Sequence, residues 1–337
     1  MKKTSRRLAL IVAAALLGAA LPARAADPTT LLNVSYDVSR EFYKDFNAAF
    51  IAHWKKTSGQ ALDIKQSHGG SSAQVRSVAE GLDADVVTMN QALDIDFLAD
   101  RGLLASDWAK RYPNGAAPSA SLSVILVRKG NPKAIRDWSD LGRQGVSVVI
   151  PNPKVTGNGR YTYLAAWGAS LKGGAGPDAA KALVARIFAN VPVLDGGGRA
   201  ATTTFAQRGI GDALVTFESE VPLILREFGA NFEVVYPSRT VLAENPVAIV
   251  DKVADRRGSR KLADAYLQYL YSDAGQEIVA KHHLRPRNDK VLARYAKDFP
   301  KVDTFTVDEV FGGWKAAQKA HFADGGSFDE IYKPGSR

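Results

Sequence analysis

Apolar residues along the chain follow two periods in alternation. Short runs at 31–36, 61–66, 85–89, 122–127, 146–150, 191–194, 213–217, 233–236 and 247–250 read as strands. Between most of them the spacing changes to that of a helix. Phe42, Phe46, Ala49, Phe50 and Trp54 predict an amphipathic helix over about 38–56, with Asp37 placed to cap it. Helical stretches are also expected at 73–81, at 96–100 ahead of Gly102, and over 260–283, where Leu262, Ala265, Tyr266, Tyr269 and Leu270 share one face. A last one spans 305–322, around Gly312-Gly313-Trp314. Strands alternating with helices predict an α/β fold of mostly parallel sheets flanked by helices. So many strands exceed the usual single open sheet, and 337 residues are enough for two lobes. If 122–127 and 247–250 cross between the lobes, residues 26–127 and 247–337 form lobe 1 and residues 128–246 form lobe 2.

Three of the strand-to-helix joints are rich in glycine: His68-Gly69-Gly70-Ser71-Ser72, Thr156-Gly157-Asn158-Gly159-Arg160 and Asp195-Gly196-Gly197-Gly198-Arg199. Each lies at the C-terminal end of a strand, where open α/β sheets bind ligands, and each opens a helix whose first N–H groups have no partner within the helix. That geometry suits an oxyanion, with the Thr156 hydroxyl and the N–H groups of 157–160 as donors. None of the loops carries a Gly-Lys-Ser/Thr ending or a Gly-x-Gly-x-x-Gly spacing, so nucleotide and dinucleotide sites do not fit.

The first 25 residues stand apart. Lys2, Lys3, Arg6 and Arg7 precede an apolar run at 8–21 that ends at Ala23-Arg24-Ala25, the pattern of a secretory signal peptide cleaved after Ala25. The run is too short to span a membrane, and nothing downstream is longer. Removing the five basic residues of this segment takes the formal charge from +9 to +4. The remaining Lys and Arg are scattered among acidic residues, which argues against nucleic acid as partner. With no cysteine there is no disulfide, thiol nucleophile or lipid-bearing thiol. A protein free in a bacterial periplasm is the expectation.

An enzyme reading would rest on Ser71 with His68, yet no Gly-x-Ser-x-Gly elbow surrounds the serine, and His68 reads as a polar residue steadying a Gly-rich loop. His282 and His283 are adjacent and point apart, which makes no metal pair; Asp94 and Asp96 lack the further carboxylates of a calcium loop and read as a helix start. No metal and no cofactor is expected. Arg128, Arg160 and Arg199 stand near the loops and are expected to steady them without touching the anion.

Several long stretches carry a resemblance: 31–37, Gln66-Ser67-His68-Gly69-Gly70-Ser71, 127–132, Asn152-Pro153-Lys154, 163–168 and Phe311-Gly312-Gly313-Trp314. In this order they resemble the periplasmic sulfate/thiosulfate-binding proteins of bacterial ABC importers over essentially all of the chain after the signal. The resemblance implies a two-lobed periplasmic-binding fold of the type II kind, joined by two crossing strands and closing on a dehydrated dianion held by backbone N–H groups and neutral side chains. It implies a monomer that passes its ligand to a membrane permease and an ATPase. The matching ligand residues are Asp37, Ser71, Thr156 (commonly Ser in sulfate binders), Gly157, Asn158 (often a second Gly there) and Gly198. Phe217 falls where sulfate binders have a Trp whose indole N–H donates to the ligand. That departure, with Glu218-Ser219-Glu220, Ala201-Thr202-Thr203-Thr204-Phe205 and 159–163, is closer to the thiosulfate-binding branch. Molybdate or phosphate are the alternative ligands, and a serine hydrolase using Ser71 and His68 is the alternative class.

Overall fold

A computed structural model describes residues 29–332. The signal segment expected at 1–25 lies outside the described residues. Twelve strands are assembled into two sheets. They are β1 (Thr30–Tyr36), β2 (Asp63–Gly69), β3 (Val86–Thr88), β4 (Ser119–Arg128), β5 (Val148–Pro151), β6 (Leu194–Asp195), β7 (Ala213–Phe217), β8 (Phe232–Val235), β9 (Arg239–Asn245), β10 (Val247–Ile249), β11 (Arg285–Pro286) and β12 (Asp303–Phe305).

The first sheet has the order β10-β3-β1-β2, with β1 parallel to both β2 and β3 and β10 antiparallel to β3. The second runs β12-β9-β4-β7-β5-β6, with β8 and β11 also paired to β4. Its β5, β6 and β7 are parallel neighbours, whereas β4 runs antiparallel to β7, β8, β9 and β11. Both sheets are therefore mixed, the second because the long strand β4 runs against all of its neighbours there.

Strand β4 shows how one sheet supports two cores. Its side chains alternate: Ile125 and Val127 enter a core with the helices Gly157–Lys172 and Pro177–Ala189, while Leu122, Val124 and Leu126 enter another with Phe205, Val221 and Ile224. The first sheet has its own core, built from the helix Arg40–Ser58 through Phe42, Phe46 and Phe50, and from Leu262, Tyr266 and Leu267.

The connections differ from the expected ones in two places. Strand β4 lies wholly in the second sheet, and the chain passes back to the first sheet at Asn245-Pro246-Val247, between β9 and β10. Phe305, Val307, Trp314, Phe322 and Phe328, within the segment grouped with lobe 1 by sequence, pack in a second-sheet core because β12 pairs with β9. The helical region expected over 260–283 consists of two helices, Arg260–Tyr269 and Asp273–Lys281, broken where the Ser272 hydroxyl caps the second by accepting from Gly275 N–H at 3.0 Å.

Candidate functional site

The three Gly-rich joints start their helices within one small region between the sheets. Asp37, Val38, Gly70, Ser71, Asn90, Thr156, Gly157, Asn158, Gly197, Gly198 and Phe217 line a single cavity, so every candidate ligand residue named from sequence is there. The cavity leaves about 10 Å³ for the centre of a water-sized molecule. That is room for about one water and not for an organic solute.

The first-sheet side is built by the ends of β1, β2 and β3. Ser71 is the first residue of the helix Ser71–Ala79; its Oγ is buried with no hydrogen-bond partner. Asp37 is not the N-cap of the first helix, as the sequence suggested. It opens a 3-10 turn, Asp37–Ser39, closed by the Ser39 hydroxyl donating to Tyr36 O at 2.6 Å, and the α-helix begins at Arg40. Burial raises the Asp37 pKa; the Arg199 charge and N–H groups of Val38, Asp37 itself and Arg199 act against that rise. This carboxylate is thus engaged by donors and reaches across to the Gly197–Arg199 turn, where its Oδ2 stands 3.3 Å from the point a Gly197 Cβ would occupy.

On the second-sheet side, Thr156 is the N-cap of the helix Gly157–Lys172. Its hydroxyl accepts from Gly159 N–H at 3.0 Å and donates to Asn152 O at 2.8 Å. The single hydroxyl proton is thereby used, so Thr156 shapes the loop in this arrangement instead of offering the donor expected from sequence. The N–H groups of Gly157 and Asn158, on the first turn, have no carbonyl four residues back to bond within the helix. Two glycines here answer to close approach: a Cβ on Gly157 would stand 2.3 Å from Asn90 Oδ1, and one on Gly159 would stand 2.3 Å from Pro151 O. Phe217, at the end of β7, is 3% exposed and meets the Tyr161 ring edge-on at 5.9 Å, presenting an apolar wall to the cavity.

None of the three arginines lines this cavity. Arg128 donates to the carbonyls of Phe205, Ile210 and Gly211. Arg199 pairs with Glu41 across the cleft. Arg160 is 6% exposed and donates to Ser72 Oγ at 3.2 Å and to Lys154 O at 3.2 Å. Asp94 accepts from Ser72 at 3.1 Å and from Gln91 at 2.8 Å. His68 Nδ1 stands 3.4 Å from Tyr36 O, and burial lowers its pKa; it makes no pair with Ser71, whose Oγ has no partner. Among the described residues no group of three or more His, Asp or Glu could hold a metal ion, and no helix is long and apolar enough to cross a membrane.

Asn90 is a polar lining residue that sequence reasoning missed. It follows the short strand β3 without a glycine to mark the joint, and the only signal was its position just past the C-terminal end of a strand.

The family model for bacterial extracellular solute-binding proteins matches residues 33–285. The chain is 59% identical over 327 residues to the thiosulfate-binding protein of Pseudomonas aeruginosa, covering 96% of this chain and 97% of that one. It is 52% identical over 306 residues to the sulfate-binding protein of Escherichia coli, covering 90% and 93%. Among solved structures, the sulfate-binding protein SubI from Mycobacterium tuberculosis superposes with a TM-score of 0.77 at 31% identity, covering 87% of this chain and 99% of that one.

Proposed function

We propose that this chain, which belongs to the bacterial extracellular solute-binding protein family, is a periplasmic receptor that captures sulfate or thiosulfate and delivers it to the membrane permease and ATPase of an ABC importer. One observation carries the reading. Helix starts from two separate sheets converge on one small cavity lined by N–H groups, with Asp37 the single ionisable side chain and no guanidinium or ammonium among the lining residues. Names of relatives at 59% and 52% identity agree with it.

The ligand residues in this reading are Asp37, Ser71, Gly157, Asn158 and Gly198 through backbone N–H groups and the Ser71 hydroxyl, with Thr156 holding its loop and Phe217 forming a wall. Each sheet with its helices is one body, and the two close over the anion about the segments that join them. The segment at 1–25 would direct export and be removed.

Sulfate and thiosulfate are fully ionised near neutral pH, whereas phosphate carries a proton that needs an acceptor. The carboxylate in the cavity wall, Asp37, is engaged by N–H groups of Val38 and Arg199, which supports rejection of the protonated anion. Phe217 offers no donor, which favours a ligand whose fourth corner is a large, weakly accepting sulfur. Titration calorimetry with sulfate, thiosulfate, phosphate and molybdate tests the reading. Heat with the first two and none with phosphate is expected; phosphate or molybdate binding more tightly than either would overturn it.

A further inference from the structure

Two side-chain amides on the cavity wall carry unspent polar atoms. Asn158, the second residue of its helix, is 4% exposed, and its Nδ2 is buried without a hydrogen-bond partner. The other end of this amide is oriented: Asn158 Oδ1 accepts from the Thr162 hydroxyl, one turn along, at 3.5 Å. Nδ2 is therefore the end turned away from the helix, 3.3 Å from the point where a Cβ on Gly198 would stand, between two of the anion loops. Across the cleft Asn90, 6% exposed, has a buried Oδ1 that also lacks a partner and lies against Gly157. Buried polar atoms are rarely left unpaired, and the spare Asn158 Nδ2 donor points to a ligand that accepts from it, while the spare Asn90 Oδ1 belongs to an amide whose orientation nothing yet fixes.

We propose that Asn158 and Asn90 donate side-chain N–H groups to the bound oxyanion, one from each side of the cleft, and that Asn158 supplies the side-chain donor that Phe217 does not. The inference rests on the receptor reading above. No hydrogen bond fixes the Asn90 amide, so it turns its N–H end to an anion, because an amide oxygen facing a dianion is repelled. A donor at Asn158 lies at the second loop instead of at β7. It can serve the oxygens of sulfate or thiosulfate while the ring of Phe217 keeps its own corner apolar.

The test uses the chain after the signal segment. In 15N-labelled protein the Asn158 side-chain amide pair is identified by its loss in Asn158→Gly, a replacement that removes the amide and leaves the backbone N–H. Saturating sulfate or thiosulfate is expected to shift that pair strongly. Asn158→Gly and Asn90→Ala are each expected to weaken binding at least about tenfold, the scale of one hydrogen bond to a charged group. Asn158→Asp keeps the shape, and a carboxylate on the first helical turn favours the ligand-free fold. It is expected to abolish binding without lowering the melting temperature. Amide signals that stay in place, or affinities of Asn158→Gly and Asn158→Asp within about twofold of wild type, overturn the inference. Wild-type protein that binds neither anion overturns the receptor reading itself.

Discussion

Replacing Arg160 by Gln removes a charge from a relay that spans the cleft. Arg160 Nη1 donates to Ser72 Oγ, which donates to Asp94 Oδ1, and Gln91 holds the other carboxylate oxygen. Arg160 and Asp94 are 6% and 3% exposed. Burial lowers the pKa of the first and raises that of the second, and in each case the opposite charge of the other acts against the burial. Removing one member of such a buried pair leaves the other uncompensated, a loss of about 3–5 kcal/mol. The interposed serine separates the charges, so the lower end, about 3 kcal/mol, is expected here. Ser72 and Asp94 belong to the first sheet's helices and Arg160 to the second's. In the closing motion proposed above the relay forms only when the two bodies meet, so its loss should appear in ligand affinity, about a hundredfold by calorimetry, and not in urea unfolding of the ligand-free protein. Asp94→Asn combined with Arg160→Gln should recover about 1 kcal/mol or more relative to additivity. Binding by Arg160→Gln within about threefold of wild type, or strictly additive effects, would refute the reasoning.

Thr156→Val should lower stability by about 1 kcal/mol through loss of the helix cap, and Thr156→Ser should restore it, as read from urea midpoints. A large affinity loss at unchanged stability would mean instead that the hydroxyl turns to the anion. Phe217→Trp should shift preference toward sulfate by about 1 kcal/mol, the worth of one hydrogen bond, in competition calorimetry; an unchanged sulfate-to-thiosulfate ratio removes Phe217 from specificity. Burial pushes Glu220 up to about 8, helped by Asp37 and Glu41 and opposed by Arg199. The folded state then holds a proton that the unfolded chain has lost above the ordinary carboxylate range. Its contribution to stability is full at low pH and disappears as pH climbs through about 8. Glu220→Gln should flatten that decline in denaturation series, and an identical slope in both proteins would show that Glu220 is not the titrating group.

Most of the cavity was legible because glycine and strand ends leave marks. The runs 31–36 and 213–217 are uninterrupted enough to give β1 and β7 nearly to the residue. Strand β9 escaped because Thr240, Glu244 and Asn245 break its apolar run, although Thr240 is fully buried through its bond to Ser123 O. Strand direction was not legible, since a buried run looks alike whether it is parallel or antiparallel, and β4 is both long and reversed. The roles of Thr156 and Asp37 were misjudged for one reason. Their type and place suggested what they can bond, but Asn152 O and the Val38 and Arg199 N–H groups had first claim on them. Asn90 left no local mark, because its place in the site depends on β3 lying beside β1.

The pairing of β3 with β10, Val86 opposite Ile249 and Thr88 opposite Val247, constrains how the chain acquires its structure. During synthesis the N-terminal strands appear first, yet one edge of β3 stays bare until the whole second-sheet segment through β9 has been made. Contacts so distant in sequence are slow to form, and a bare strand edge is an invitation to pair with another chain. The early sheet is therefore an unfinished template for most of the time the polypeptide is growing. A holding chaperone that shields that edge during the delay is expected to raise the yield of native protein.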